Sequence, residues 1–307
     1  MNELLIYQGK TAIALAVFYI FYRLLLSKET FHRFNRIVLL GTAALSFLLP
    51  LCVITIRKVV ILPDINDIVS AEGIVTGTAE TPQEPIWPAV LCGIFALGAL
   101  IVMLMTFISI IKVKAIIRSG EHQTLESGET LVITETDTSP FSWMKYIVLS
   151  REDYESGYSQ ILIHEKAHIA LRHSWDLLFV DMITVLQWFN PAIWMLKSDL
   201  RALHEFEADD AVLRSGADIK EYQYLLIRKA VSKSGYSVAN SFNHSTLKQR
   251  ITMMLNKKSS RMSAWKALYV LPLVGISLAA TAETKVDYRY EGQQSETVVD
   301  TPVDKLT

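Results

Sequence analysis

The segment from 161 to 173 contains the pattern H-E-x-x-H, with His164 and His168 four residues apart and Glu165 between them. On a helix, residues at this spacing share one face, so both imidazoles can bind the same metal ion. Zinc is the metal that this pattern favours, and the neighbouring glutamate can act as a general base toward water that the metal activates. The pattern therefore predicts a zinc-dependent hydrolase with Glu165 as its base.

Most of the residues around the motif are apolar, including Ile161, Ile163 and Ala167. The alternative interpretation is a charged, solvated helix face that contains histidines by chance. An apolar surrounding indicates a largely buried helix, where unpaired charge is costly. A metal ion that uses the charge explains the pattern better.

A catalytic zinc of this type needs a third protein ligand and one open position. In the segment HEFEADD, Glu205 is the candidate ligand, and Asp209 lies one helical turn later. Asp209 would accept the N–H of a ligand histidine and so orient its ring. His204 is a competing ligand candidate.

Three other polar residues near the two motifs are not assigned to the site. His173 is out of register with the longer histidine patterns that also supply a third ligand, and we expect it to face elsewhere. Glu207 and Asp210 are interpreted as the solvated face of their helix.

The segments that position this site lie among long apolar runs. The chain has 307 residues, of which 51% are hydrophobic, and its mean hydropathy is +0.28. Four runs are long enough to cross a bilayer, which takes about 20 apolar residues in a helix. They are 5–26, 34–56, 86–111 and 264–282. Cys52 and Cys92 lie inside these runs and predict neither a disulfide framework nor a metal site.

The basic residues predict how these runs are oriented. Lysine and arginine concentrate at 23–36, 112–118 and 257–266, whereas the loop 57–85 is acidic. Because cytoplasmic loops carry the excess of basic residues, we expect the N-terminus, the loop 57–85 and the tail 283–307 outside and residues 112–263 in the cytoplasm. We expect the outer loop to be irregular. The net charge of −1 gives no indication of a nucleic-acid partner.

The predicted cytoplasmic segment mixes strands and helices. The β-rich runs 129–135 and 144–149 are separated by turn residues and predict a hairpin. Helices are expected from about 151–155 through the motif, and over 196–214, 218–233 and 245–257. The apolar run 175–196 could be a fifth span, but two aspartates and Pro191 interrupt it. A helix lying against the membrane or the domain core is the preferred interpretation.

The order of these features resembles one known family. H-E-x-x-H followed by E-F-E-A-D, after three hydrophobic spans and before a fourth, is similar to the integral-membrane zinc peptidases of the β-lactam sensor-transducer family. Those proteins are antirepressors that regulate β-lactamase and methicillin-resistance genes. The segments SPFSW at 139–143 and SFNHSTLKQRI at 241–251 also look like that family. The resemblance covers nearly the whole chain and is strongest over 139–255, with a more distant similarity to heat-shock and prenyl-protein-processing membrane zinc peptidases.

The resemblance implies a mainly α membrane protein of the bacterial inner membrane, in which a cytoplasmic α+β gluzincin-type domain lies between spans three and four. It implies a Zn²⁺-dependent endopeptidase whose substrate is a cytoplasmic transcriptional repressor, often with self-cleavage. It also places NHSTLKQR near the site, so His244 and Arg250 are candidates for the second electrophile that the oxyanion needs. A helix-cap or surface role is the alternative for each. An extended substrate could add to the edge of the predicted hairpin.

The chain departs from that family after the fourth span. The β-lactam-sensing members carry a large extracellular penicillin-binding domain there, whereas 283–307 is short. We expect no such domain in this chain and consider a separate sensor protein as a candidate partner. Alternative functions are a membrane quality-control protease and a non-catalytic receptor with a zinc domain. A transporter is disfavoured because the spans, apart from Lys10 near one end, are not expected to contain the buried ionisable residues that mark transport paths.

Overall fold

A computed structural model describes residues 2–52, 55–62, 86–156, 159–232, 240–281 and 283–290. Its helices in these ranges are α1 (Asn2–Leu25), α2 (His32–Leu48), α3 (Trp87–Ser119), α4 (Arg151–Glu155), α5 (Ser159–Ala170), α6 (His173–Leu186), α7 (Pro191–Arg214), α8 (Ile219–Ser232), α9 (Asn240–Leu255) and α10 (Val270–Thr281). Its strands are β1 (Thr55–Leu62), β2 (Glu121–Thr124), β3 (Thr130–Thr134), β4 (Phe141–Trp143), β5 (Tyr146–Ser150) and β6 (Glu283–Tyr290). Two 3₁₀ helices cover Leu49–Leu51 and Arg261–Tyr269.

Within the described residues, four helical segments are long and apolar enough to cross a membrane, one in each predicted run. They are Glu3–Leu25, His32–Leu51, Trp87–Ser119 and Met262–Ala279. The third continues past the predicted end at 111, because the lysine and arginine residues that follow are good helix formers. The second α-helix ends at Leu48, just before Pro50, whose missing N–H cannot support a helix interior.

The ends of the second and fourth candidate spans meet in a two-stranded sheet. β1 and β6 pair in parallel, from Thr55 opposite Glu283 to Leu62 opposite Tyr290. The expectation of an irregular outer loop at 57–85 is therefore wrong for 57–62. The rest of that loop, 63–85, and the tail beyond 290 lie outside the described residues. Because the two strands pair, these segments must lie on the same side of any bilayer that the helices cross.

The sheet beside the H-E-x-x-H helix has the strand order β2-β3-β5-β4. The predicted hairpin is wrong, because β3 and β5 pair in parallel and β4 runs antiparallel to β5 at the edge. The tight turn between β4 and β5 is made by Met144 at φ 54°, and its N–H donates to Ser174 Oγ at 3.0 Å. Leu131, Ile147 and Leu149 of the sheet are buried against Ile161 of α5. The sheet thus fixes the position of α5.

The apolar run 175–196 forms two helices, so it does not make a fifth span. The chain reverses at 187–190, where Asn190 caps α7 by accepting from the Ala192 N–H at 3.0 Å. The tip of this α6–α7 hairpin reaches far along α1 and α3. Asn190 Nδ2 donates to the Ala12 carbonyl at 3.1 Å, and Trp188 Nε1 donates to the Phe95 carbonyl at 3.2 Å. Because the chain turns back at 187–190, the start of α6 and the C-terminal part of α7 lie on the same side of that turn.

The largest core is shared between the candidate spans and the α6–α7 hairpin. It contains Leu15, Tyr19, Tyr22, Leu39, Val180, Ile183, Ile193, Leu196, Leu200 and Leu203, all of which are buried. At the base of the hairpin, Asp199 of α7 accepts from Tyr19 at 2.9 Å and pairs with Arg23 at 2.9 Å. The helix that contributes Glu205 is therefore packed directly on α1 and α2.

Candidate metal centre

Three side chains from two packed helices converge at one point. His164 and His168 project from α5, and Glu205 projects from α7. The two Nε2 atoms are 3.2 Å apart, and the Glu205 carboxylate oxygens lie 3.4 Å from His164 Nε2 and 3.7 Å from His168 Nε2. One ligand atom from each residue lies within 4.8 Å of the others. The three residues could therefore hold a metal ion.

The other ring nitrogen of each histidine has a partner of its own. His164 Nδ1 is 2.9 Å from the hydroxyl of Tyr222, which donates to Asp209 Oδ1 at 2.7 Å. His168 Nδ1 is 2.7 Å from His173 Nδ1. When both rings donate from Nδ1, each Nε2 is a bare lone pair that points at the carboxylate. A group of two imidazole nitrogens and one carboxylate is the donor set of catalytic zinc sites that keep an open position, and the residues fit that metal.

The electrostatics of the three residues favour a cation at this point. Burial opposes a charge on His164, but hydrogen bonds to Asp209 and Glu205 outweigh it and raise its pKa to about 9. Burial and the neighbouring His164 charge hold the pKa of His168 well below its usual value. Burial would raise the pKa of Glu205, yet its hydrogen bond to His164 and the charges of His164 and Arg250 lower it. The site thus holds an ionised carboxylate and attracts positive charge.

Glu165 lies beside the three ligand candidates and is not one of them. It is only 6% exposed, and its side chain lines the same cavity as His164 and His168. Burial raises the pKa of Glu165, although His164 and a hydrogen bond from Ser142 of β4 oppose the change. A carboxylate whose pKa is raised toward neutrality is better matched to taking and returning a proton.

Arg250 and Asp209 pack behind the ligand candidates. Arg250 Nε and Nη2 donate to the two oxygens of Asp209 at 2.9 and 2.5 Å, and Nη1 lies 2.8 Å from Glu205 Oε2. The alternative surface role for Arg250 is wrong, since its side chain is 15% exposed. Asp209 lies 3.3 Å from His164 Nδ1, on the ring that it was expected to orient. His244 belongs to α9, but its side chain lies outside the described residues.

Tyr222 was missed by sequence reasoning. It is 1% exposed, and its hydroxyl lies between His164 and Asp209. No motif marks it, because it comes from α8, a helix that contributes none of the ligand candidates found among the described residues. His204, the competing ligand candidate, is not in that group either. Its Nε2 lies 2.9 Å from Asp176 Oδ2, and its ring stacks on His173 with centroids 3.9 Å apart.

The expectations for Glu207 and His173 were wrong. Glu207 is buried, not solvated, and its Oε2 lies 2.8 Å from His173 Nε2 and 3.1 Å from Arg36 Nη1. His173 turns toward the motif because Arg172 adopts a left-handed conformation at φ 59°. Arg172 lies between α5 and α6, and its conformation turns the chain so that α6 begins with His173 beside His168.

An open cavity of about 530 Å³ gives access to the site. It is lined by the motif residues His164, Glu165 and His168, by residues 139–142, which lead into β4, and by apolar residues of α8. A larger cavity, of about 730 Å³, is lined by residues of α2, of the C-terminal half of α7 and of α9, and touches none of the three ligand candidates. The smaller cavity is therefore the candidate substrate site.

Sequence comparisons with known proteins also indicate a peptidase. The sequence matches the family described as BlaR1 peptidase M56 over residues 20–254. It is also 23% identical over 137 residues to the regulatory protein BlaR1 of Bacillus licheniformis. That similarity covers 41% of this chain and 22% of the relative, so it concerns a small part of the longer protein. Because the family match spans more than half of the chain and includes every ligand candidate, this chain belongs to the BlaR1 peptidase M56 family.

Proposed function

We propose that this protein is a membrane-embedded, zinc-dependent endopeptidase that transmits a signal by cleaving a cytoplasmic protein, such as a transcriptional repressor. The observation that carries the proposal is the convergence of His164, His168 and Glu205 beside the buried Glu165 in an open cavity. Membership of a peptidase family supports the same reaction class. A purely structural metal site would need neither the open cavity nor the adjacent base.

His164, His168 and Glu205 would hold the zinc ion, and Asp209 would orient His164 through Tyr222. When bound, zinc supplies Lewis-acid chemistry, which polarises a peptide carbonyl and lowers the pKa of water. Imidazole and carboxylate ligands suit this metal, and three protein ligands leave the open position that catalysis requires.

Glu165 would move the proton in the reaction. It would take a proton from the attacking water and then deliver it to the nitrogen of the departing amine, so that the products are a carboxylic acid and a neutral amine. Its position next to His164 in sequence, on the wall of the cavity, supports this assignment. Its raised pKa suits a group that must both accept and return a proton.

Arg250 is the candidate for stabilising the oxyanion, because a buried guanidinium lines the cavity next to Glu205. Two hydrogen bonds to Asp209 fix its plane, and preorganised positive charge is effective where water is excluded. His244 remains a second candidate on the same helix, α9, through the family resemblance.

The edge of the small sheet supports a protein substrate. Among the described strands, β4 pairs with β5 on one side only, and residues 139–142 line the cavity. An extended peptide can add to such an edge through main-chain hydrogen bonds, which read few side chains. Ile161, Leu225 and Leu226 line the same cavity and would accept an apolar side chain close to the cleaved bond.

The protein would lie in the bacterial inner membrane with its N-terminus outside. The domains would be the membrane region 1–111, the cytoplasmic peptidase domain 112–263, the fourth span 264–282 and the outer tail 283–307. The placement of lysine and arginine supports this orientation. The pairing of β1 with β6 supports the four-span arrangement, because it requires the second and fourth spans to end on one side. The outer segments are then available to a separate sensor protein.

Metal analysis of the purified full chain and a comparison of cleaved proteins in cells test the proposal. We expect about one zinc per chain, and a small set of cytoplasmic proteins that is cleaved with the wild type and intact with Glu165→Gln. Cleavage of many damaged membrane proteins would instead indicate quality control. Identical protein profiles in both strains would indicate a receptor without peptidase activity and would contradict the proposal.

A further inference from the structure

A continuous chain of polar contacts runs from candidate span α2 to the ligand candidate His168. Arg36 Nη1 on α2 lies 3.1 Å from Glu207 Oε2, the same oxygen lies 2.8 Å from His173 Nε2, and His173 Nδ1 lies 2.7 Å from His168 Nδ1. The side chains of Arg36, Glu207 and His173 are 14%, 2% and 3% exposed. Solvent is therefore largely excluded from the chain of contacts.

The chemistry of these groups determines where each hydrogen lies. An ionised carboxylate can only accept, so His173 carries its hydrogen on Nε2 and leaves Nδ1 bare. His168 must then donate from its own Nδ1, which leaves its Nε2 without hydrogen. That Nε2 is the atom that faces His164 and Glu205, and only a bare nitrogen can bind a metal. Glu207 thus selects the tautomer of His168 through an intervening imidazole.

Arg36 also contacts the three helices whose residues form these polar contacts, α5, α6 and α7, and so holds them together. Besides Glu207 of α7, it donates to Asp176 of α6 at 2.6 Å and to the Leu171 carbonyl, which follows α5, at 2.7 Å. One guanidinium from α2 therefore bridges the ends of α5 and α6 and the middle of α7. Asp176 is also hydrogen-bonded to His204. The ring of His204 stacks on His173 and limits the rotation of the His173 ring.

We propose that Arg36, Glu207 and His173 are positioning residues that fix the tautomer and orientation of His168 and thereby tie the metal centre to candidate span α2. The inference rests on the proposed metal site and deepens it. A displacement of α2 would change the position of His168 through these buried contacts, which provide a physical route from the membrane to the site. Outer-sphere partners of metal ligands typically change metal affinity or activity about 10- to 100-fold when mutated.

The test measures metal binding by the full chain in lipid nanodiscs. Co²⁺ serves as the probe, and competition with a chelator of known affinity gives its dissociation constant while the visible spectrum reports its coordination. His173→Phe keeps the ring that stacks on His204 but removes the acceptor, and Glu207→Leu removes the carboxylate. We expect each to weaken Co²⁺ binding about 10- to 100-fold and to change the spectrum, whereas Glu207→Gln, which keeps an acceptor oxygen, should restore part of the loss.

Arg36→Met should have a smaller effect of the same kind, and Arg36→Lys should rescue it only partly, because an ammonium lacks the planar fork of donors. The matched controls are Asp210→Leu, a carboxylate on the same helix that pairs with Arg214, and Arg33→Met, an exposed arginine on α2. Both controls should leave Co²⁺ binding and the spectrum unchanged.

Non-additivity separates a positioning role from a general loss of stability. If Arg36 and Glu207 act through His173, adding either substitution to His173→Phe should weaken binding no further. Additive losses, or a wild-type spectrum and affinity in His173→Phe, would overturn the inference even if the wild type binds metal and cleaves protein. A wild-type chain that takes up no metal would overturn the proposed function and this inference together.

Discussion

The hydroxyl of Tyr222 lies 2.9 Å from Nδ1 of His164. The same hydroxyl donates to Asp209, so the tyrosine stands between a ligand candidate and the carboxylate expected to orient it. The two candidate ligand histidines are therefore supported differently. His164 depends on a tyrosine and an aspartate, and His168 depends on a second histidine and a glutamate.

Tyr222→Phe removes this hydroxyl and keeps the buried ring. We expect metal affinity to fall about 10-fold or more, because His164 loses the nearer of its two acceptors. Tyr224→Phe is the matched control, since Tyr224 lies on the same helix and is 67% exposed. Chelator competition measures both variants, and equal affinities for the two would show that Asp209 orients His164 without the tyrosine.

Glu165→Gln should separate metal binding from catalysis. The side chain keeps its shape but cannot take a proton, so we expect one metal per chain and a loss of peptide cleavage of about 100- to 10,000-fold. Glu205→Gln is the comparison, because it changes a ligand candidate and should lower metal content as well. Elemental analysis and a fluorogenic peptide assay report the two properties. Loss of metal in Glu165→Gln would place Glu165 among the ligands.

Much of the candidate site could be predicted from sequence because its residues repeat at helical spacing. His164 and His168 on one helix, and Glu205 and Asp209 on another, are each four residues apart, and local geometry alone places each pair on one face. The apolar runs were equally evident, because a helix that crosses a bilayer needs an unbroken stretch of suitable length.

The remainder depended on contacts between distant segments. Tyr222 and Arg36 reach the site from α8 and α2, and no spacing relates them to the motif. His173 was misplaced because one left-handed residue, Arg172, turns the chain. The parallel pairing of β3 with β5 was missed because β4, only three residues long, fills the place of the expected hairpin partner. Glu207 was misjudged because its burial arises from packing on α2.

Arg250→Met should destabilise the fold. It removes the guanidinium that pairs with both oxygens of Asp209, whose side chain is 3% exposed, and one partner of Glu205. An uncompensated buried charge typically costs about 3–5 kcal/mol. The control is Arg214→Met, which breaks the ion pair between Arg214, 66% exposed, and Asp210, and exposed pairs contribute only about 0–1 kcal/mol. Denaturant unfolding in detergent micelles gives the free energies, and similar values for the two variants would contradict the buried pairing.

Gly98→Ala should disturb the packing of the α6–α7 hairpin on α3. A Cβ at Gly98 would overlap the ring of Trp188, which cannot move freely because its Nε1 donates to Phe95. Gly93→Ala is the control on the same helix, where an added Cβ meets nothing within 4 Å and alanine favours the helix by about 1 kcal/mol. We expect Gly98→Ala to lower the melting temperature and Gly93→Ala to leave it unchanged or raise it. In a Trp188→Ala background the clash is gone, so Gly98→Ala should cause no further loss there; an equal loss in both backgrounds would locate the hairpin elsewhere.

Single cysteines should place the metal centre on the cytoplasmic side of the membrane. The native Cys52 and Cys92 are free thiols, so both are first replaced by serine. Ser156→Cys, at an exposed position after α4, should then resist a membrane-impermeant maleimide in intact cells and react once the cells are opened. Thr78→Cys, in the acidic loop, should react in intact cells. The physical reason is the concentration of lysine and arginine on the segments that flank the peptidase domain, since such segments are retained in the cytoplasm. Labelling of Ser156→Cys in intact cells, with protection of Thr78→Cys, would invert the topology and exclude a cytoplasmic repressor as the substrate.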